Sequence, residues 1–287
     1  TGVTLEYKDA TGATKTAFQT LTTGTEANAT ATFTGLSLYV PSSGDDSLLD
    51  VFVGIPTIAS GAASGAAITA TIDYNEGFKA TPNGLTPITT WTSASADAIS
   101  SASTGYGTVY VRKTIPTFTK VASGVTTPTT GQALYKFNVT ADTAGAVEIK
   151  KISLAVATST MNVAAFSLYE IGNSTAINTT AAEVDSNGWV IFYAGTSANN
   201  TVIQVGAGST KSFEVKGTVT NWGAAGDSLT ISFAEDTAAE VTATSVSHPG
   251  EIVWSDRSAT SHTTITADWI NGYLVKNFSD DVQSYSF

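Results

Sequence analysis

Residues 133–156 read ALYKFNVTADTAGAVEIKKISLAV. Tyr135, Phe137 and Val139 alternate with Lys136, Asn138 and Thr140, the period of a strand with one apolar and one polar face. After the Asp142 to Gly145 turn, Val147 and Ile149 keep one phase while Ile152, Leu154 and Val156 keep the other. Lys150-Lys151 sits at the change, which predicts one extra residue there, a β-bulge. The same alternation recurs in Leu229, Ile231 and Phe233 and in Leu36, Leu38 and Val40. Between such runs come Asn83-Gly84, Asn187-Gly188, Gly172-Asn173 and Gly206 to Ser209, turn chemistries that supply positive φ. No window keeps a helical apolar face. The pattern predicts an all-β chain of antiparallel sandwiches.

The chain also repeats itself. Leu48, Leu49, Val51 and Val53, followed by Ala66 to Tyr74, are echoed roughly 160 residues later by Phe213, Val215 and Val219, followed by Ser228 to Glu235. Ahead of each echo, Leu5-Glu6-Tyr7 and Phe33 to Val40 match Leu168-Tyr169-Glu170 and Trp189 to Val205. The stretch Ala133 to Val156 has no counterpart in the first copy. Two tandem immunoglobulin-like antiparallel β-sandwich modules are therefore expected. They are an incomplete module over 1–108 that lacks its opening strands, a complete one over 109–250, and an aromatic and acidic C-terminal extension over 251–287. Pro116 and Pro128 bracket an edge strand around Phe118, since proline cannot donate to a ladder. The Ser, Thr and Ala-rich stretch from Thr81 to Gly107 is too long for a hairpin loop and reads as an excursion or a linker.

Charged residues make up only 13% of the 287 residues and the net charge is −11, so clustered cations for nucleic acid are missing and an anionic membrane repels the chain. No apolar run reaches the length of about 18 residues that spans a bilayer, so no membrane insertion is expected. Cysteine is absent and Met161 is the only methionine, which suits an oxidising exterior. The start at Thr1, with neither methionine nor a basic leader, predicts that a signal peptide or longer precursor has been removed, and localisation at the cell surface follows.

Several signatures resemble the repetitive surface proteins of candidate-phyla (Patescibacteria) bacteria. They are Val109-Tyr110-Val111-Arg112-Lys113 before Ile115-Pro116-Thr117; Leu134-Tyr135-Lys136-Phe137 with Val139-Thr140-Ala141-Asp142; Lys151-Ile152-Ser153-Leu154; and the closing Trp254-Ser255-Asp256 with Ser258, His262, Asp268-Trp269 and Asn271-Gly272-Tyr273. The resemblance implies an exported cell-envelope protein of tandem β-domains, a candidate S-layer or appendage subunit, and it carries no catalytic residues.

Neither His248 nor His262 lies near a Gly-x-Ser-x-Gly elbow, and no enzyme activity is expected. Asp45-Asp46, Glu235-Asp236 and Asp280-Asp281 look like turn acids; they suit Ca²⁺ better than a carboxylate pair flanking a sugar bond, although no Asp-x-Asp-x-Asp-Gly loop is present. Zinc lacks ligands. Sequons occur at Asn28, Asn138, Asn173, Asn178, Asn199 and Asn277. The closing stretch has two readings. In one, Trp254 and Trp269 are buried in a satellite core, His262 bonds Asp256 or Asp268, and Asn271-Gly272 makes a tight turn. In the other, Trp254, Asp256, His262, Trp269, Tyr273, Tyr285 and Phe287 form a face that docks on a neighbouring subunit.

The function expected from these features is a structural cell-surface protein that assembles with copies of itself into a surface layer or an extracellular filament. The alternative is a monomeric adhesin or carbohydrate-binding β-sandwich module making glycan contacts through exposed Trp or Tyr. Tyr285 and Phe287 alternate with Ser284 and Ser286, so the terminal Gln283 to Phe287 is expected to be donated to the first module of a neighbouring copy. The rival source of the missing strands is an N-terminal part of the same polypeptide.

Overall fold

In the computed structural model, residues 2–23, 29–41, 46–70, 106–194, 201–234, 236, 251–273, 275 and 282–287 are described. They are all-β and antiparallel, with one 3₁₀ turn over Ile58–Ser60. No helix among the described residues is long and apolar enough to cross a membrane. The chain divides into two compact units, Thr1–Val111 and Arg112–Phe287.

The first unit holds β1 (Gly2–Lys8), β2 (Thr14–Thr20), β3 (Thr22–Thr23), β4 (Ala29–Thr30), β5 (Leu49–Val53), β6 (Ala67–Ala70) and β7 (Tyr106–Tyr110). β1 is central in a three-stranded sheet of order β2-β1-β5, while β3 pairs β4 and β6 pairs β7. The β1–β2 turn is held by the Asp9 carboxylate, which accepts from the Thr11 and Ala13 N–H groups, with Gly12 at φ +81°. Gly2 is required by a close approach: a Cβ there would stand 2.5 Å from the Phe18 ring. One apolar face, Val3, Leu5 and Tyr7, forms a small core with Phe33, Leu36, Leu38, Leu49 and Val53. The strand expected over Leu36 to Val40 does not form. Its backbone makes one bond to β1, Tyr39 N–H to the Lys8 carbonyl at 3.2 Å, and Leu36 and Leu38 pack on the core from an irregular segment that ends at Pro41. The boundary expected after residue 108 falls instead after Val111, because β7 pairs with β6 and so closes the first unit.

The second unit holds β8 (Pro116–Val121), β9 (Ala133–Ala141), β10 (Val147–Ser159), β11 (Asn162–Glu170), β12 (Trp189–Tyr193), β13 (Ile203–Val205), β14 (Thr210–Thr220), β15 (Ser228–Ser232), β16 (Ile252–Ser255), β17 (Trp269–Asn271) and β18 (Gln283–Ser286). Two sheets form a sandwich: β11-β14-β9-β8, with β8 at the edge as its prolines require, and β17-β16-β10-β15-β18, with β12 and β13 also on β10. Alternate residues of both, among them Phe118, Tyr135, Phe137, Phe213, Ile149, Leu154, Ile231 and Trp254, make one continuous core. The register of β10 against β16 shifts between Ile149 and Lys151, where the Lys150-Lys151 bulge is expected.

Residues 251–287 are not an appendage. β16 and β17 extend the sheet beside β10, and β18 pairs with β15 of its own unit, Tyr285 opposite Leu229. The donation of Gln283 to Phe287 to another copy is thereby overturned: Tyr285 is buried in its own core, and its hydroxyl donates to the Leu134 carbonyl at 2.8 Å. Between β17 and β18, residues 274 and 276–281 lie outside the described residues, and Val275 is buried.

The repeat survives at the level of single cross-strand pairs. Leu5 stands opposite Val51 in the first unit, and Leu168 stands opposite Val215 in the second. Likewise β6 pairs β7 as β15 pairs β18.

Candidate functional site

β10 is a central strand with both faces buried over most of its length. Val147 and Ile149 enter the main core, so Glu148 and Lys150 point to the opposite face of the sheet. β16 divides in the same way: Ile252 and Trp254 join the main core, whereas Val253 joins a separate small cluster with Trp269. The segment 256–268 folds back over that second face and closes a polar cluster.

His262 is its hub. Nε2 lies 2.8 Å from Glu148 Oε2 and Nδ1 lies 2.8 Å from Asp268 Oδ2. A ring donating from both nitrogens satisfies both carboxylates; a neutral ring can donate to only one. Arg257 Nε lies 3.2 Å from Glu148 Oε1, and Ser255 Oγ donates to Asp268 Oδ2 at 2.8 Å. Burial alone would raise the Asp268 pKa, but hydrogen bonds from Thr266, Ser255 and the Ala259 N–H, with His262 beside it, hold the carboxyl below its ordinary range. Lys150, whose side chain is enclosed, stands with Nζ 3.9 Å from the centre of the Trp269 ring and donates to the Thr264 carbonyl. Burial pulls its pKa down to about 8 against the opposing pull of Asp268 and Glu148. Trp269 is 0% exposed, its Nε1–H donating to the Thr263 carbonyl at 2.8 Å.

Around the cluster, two carboxylates tie the closing segment down. Asp256, fully buried, accepts the Lys113 N–H at 2.9 Å. Asp236 accepts the Glu251 N–H at 2.8 Å and the Gly272 N–H at 2.6 Å, spanning both ends of the segment. Burial, with Asp236 nearby, pushes the Glu251 pKa up to about 7.

The structure thus brings His262 and Trp269 together with Asp268, and places Asp256 and Trp254 apart from them. Trp254 is buried, its Nε1–H donating to the Asn271 carbonyl. Tyr273 is half-buried, and Phe287 is exposed with its ring edge against Trp222. A docking face made of all seven candidates is therefore overturned: Trp254, Asp256, Trp269 and Tyr285 are enclosed by their own unit, leaving Phe287 exposed and His262 and Tyr273 partly buried. Glu148, Lys150 and Ser255 belong to the cluster; in the sequence Lys150 marks only the bulge and Ser255 only the closing signature, and none of the three stands out as a site residue. Two charges at alternate positions of a strand read as a wet face until the segment covering it is known.

Chemically, the cluster clamps. Ser255 Oγ bonds Asp268, while the second nitrogen of His262 faces Glu148, so the serine and the histidine are not joined as nucleophile and base. His248 lies outside the described residues, as do Asp45, Glu235, Asp280 and Asp281. Among the described residues no group of three or more His, Asp or Glu is placed to hold a metal ion. Of the sequons, Asn178 is buried with its amide donating to the Phe166 and Thr180 carbonyls, Asn138 accepts from Ser212, and Asn173 is exposed; Asn28, Asn199 and Asn277 lie outside the described residues.

Comparison with known protein families, with curated proteins and with solved structures finds no match to this chain.

Proposed function

We propose that the chain is a structural protein of the cell exterior that assembles with copies of itself into a surface layer or filament. The observation that carries this reading is the distribution of exposed apolar side chains. Among the described residues eight of the thirteen exposed large apolar side chains, Phe18, Tyr39, Val40, Leu48, Val51, Phe52, Ile55 and Val109, belong to the first unit, against Ile115, Ile171, Ile265, Val282 and Phe287 scattered over the second. Phe18 and Phe52 stand opposite Thr4 from its two sides, so one row across the sheet carries two phenylalanines that are 63% and 54% exposed. Apolar groups gathered in this way on an otherwise hydroxyl-rich protein mark a contact surface. The second unit supplies the rigid body: its closing segment is fastened by His262, Asp256 and Asp236. The sugar-platform alternative would draw on exposed Trp or Tyr; Trp254 and Trp269 are both enclosed, and Tyr39 is exposed. Negative-stain microscopy of the purified chain, with and without a chelator, tests the proposal. Ordered arrays or filaments are the expected result; dispersed single particles at every concentration would refute it, and loss of order with chelator would assign Ca²⁺ a part in assembly.

A further inference from the structure

We infer that the edge of β5 that no described strand pairs is an acceptor for one antiparallel strand of the type Tyr-Lys-Phe, delivered by another polypeptide. The second unit shows what belongs there. β14, the counterpart of β5, pairs β11 on one side and β9 on the other. β5 pairs β1 on the matching side, and among the described residues nothing pairs with its other side. Exposure agrees: Val51 is 36% exposed, whereas Val215 at the equivalent position is 0%.

The register of the missing strand follows from the repeat. In the second unit Tyr135, Lys136 and Phe137 stand opposite Val215, Glu214 and Phe213. The equivalent positions of β5 are Val51, Asp50 and Leu49. A donated strand therefore sets an aromatic against Val51, a lysine against Asp50 and an aromatic against Leu49. The lysine answers a second feature of the first unit. Asp50 stands directly opposite Glu6 of β1, a like-charge cross-strand pair that disfavours the sheet. A cation on the open side of Asp50 offsets that repulsion, and in the second unit the residue opposite the equivalent Glu214 is Lys136. Main-chain bonds along the edge supply affinity, and the alternating side chains fix the register.

This goes beyond self-assembly, because the described strand of a second copy that carries the pattern, β9, is already held between β8 and β14. The donor is a strand of matching pattern from a different molecule.

The test uses the full chain and a labelled peptide of residues 133–141, ALYKFNVTA. Saturable binding is expected, with slowed hydrogen exchange of amides 49–53. A peptide carrying Lys136→Glu should bind at least about tenfold more weakly, and a chain carrying Asp50→Lys should prefer that variant peptide over the parent one. Asp50 is exposed, so this substitution leaves the fold intact, which circular dichroism checks. Four results overturn the inference: no saturable binding; equal binding of both peptides; protection appearing over 210–220, which would mean exchange with β9; or a dimer of the chain itself that Asp50→Lys dissolves, which would make β5 a self-pairing edge. Polymers seen without peptide binding refute the acceptor alone, and peptide binding by a chain that never polymerises refutes only the assembly proposed above.

Discussion

Replacing Trp269 by alanine removes the lid of the polar cluster. The side chain is fully enclosed, so the loss combines transfer of a large aromatic with the cavity it leaves, about 3–5 kcal/mol. The ring also faces the Lys150 ammonium at 3.9 Å, an attraction of about 0.5–2 kcal/mol, and its Nε1–H satisfies the Thr263 carbonyl, about 1 kcal/mol more. These contributions overlap, and a total near 5 kcal/mol is expected. For a unit of this size each kcal/mol lowers Tm by roughly 2–4 °C, so the second unit should melt about 10–20 °C earlier. Trp269→Phe keeps most of the ring and should lose only about 1 kcal/mol, the Nε1–H bond itself, because the Thr263 carbonyl still accepts from the Thr266 hydroxyl. Far-UV circular dichroism with urea titration reads both variants without depending on tryptophan emission. A Tm for Trp269→Ala within about 2 °C of the parent would refute the keystone role. If such a variant also failed to assemble, Trp269 would instead be an anchor for a neighbour.

Deleting residues 282–287 removes β18 and the buried Tyr285, and should destabilise the second unit by several kcal/mol, measured by denaturant unfolding; unchanged unfolding would show that β18 is dispensable. Glu251 is protonated in the folded chain up to about pH 7, while in the unfolded chain it releases its proton near its ordinary 4.5. Stability should therefore fall as pH rises through that window and level off above it, and Glu251→Gln should flatten the fall; a variant with the parent pH profile would refute the assignment. Residues 112–287 expressed alone should melt in one cooperative transition by calorimetry, while residues 1–111 should not, because β5 and β6 each have one partner among the described strands. Equal cooperativity of the two fragments would contradict that.

Periodicity located β9, β10, β15 and the bulge at Lys150-Lys151, because alternate side chains of each strand enter the core and report it directly. It misread Leu36 to Val40, where alternation arises from two leucines packing down from an irregular segment. It also misplaced Gln283 to Phe287. Alternation says that a strand has one apolar face; it does not say which sheet edge receives it, and the edge of β15 lies in the same chain. The repeat was legible as matching segments, and the structure extends it to single cross-strand pairs, Leu5 with Val51 and Leu168 with Val215. Of the cluster, His262 and Trp269 stood out by residue type, and Asp268 was one of two named partners. Glu148 was not legible. It is 114 residues from His262, and a glutamate alternating with apolar residues looks solvated until its cover is known.

The span between Glu148 and His262 also has a consequence in time. A chain made at roughly 5–20 residues per second exposes β10 for several seconds before β16 and the covering segment exist. β10 has none of its sheet partners until β12 follows, its second face stays uncovered until segment 256–268 is made, and a long apolar strand left open in this way is the kind that seeds aggregation. Glu148, Lys150 and Lys151 interrupt it with charge while it waits. The groups that become the buried clamp of the finished unit thus act first as guards on the nascent strand, and replacing them with apolar residues would trade soluble yield for native stability.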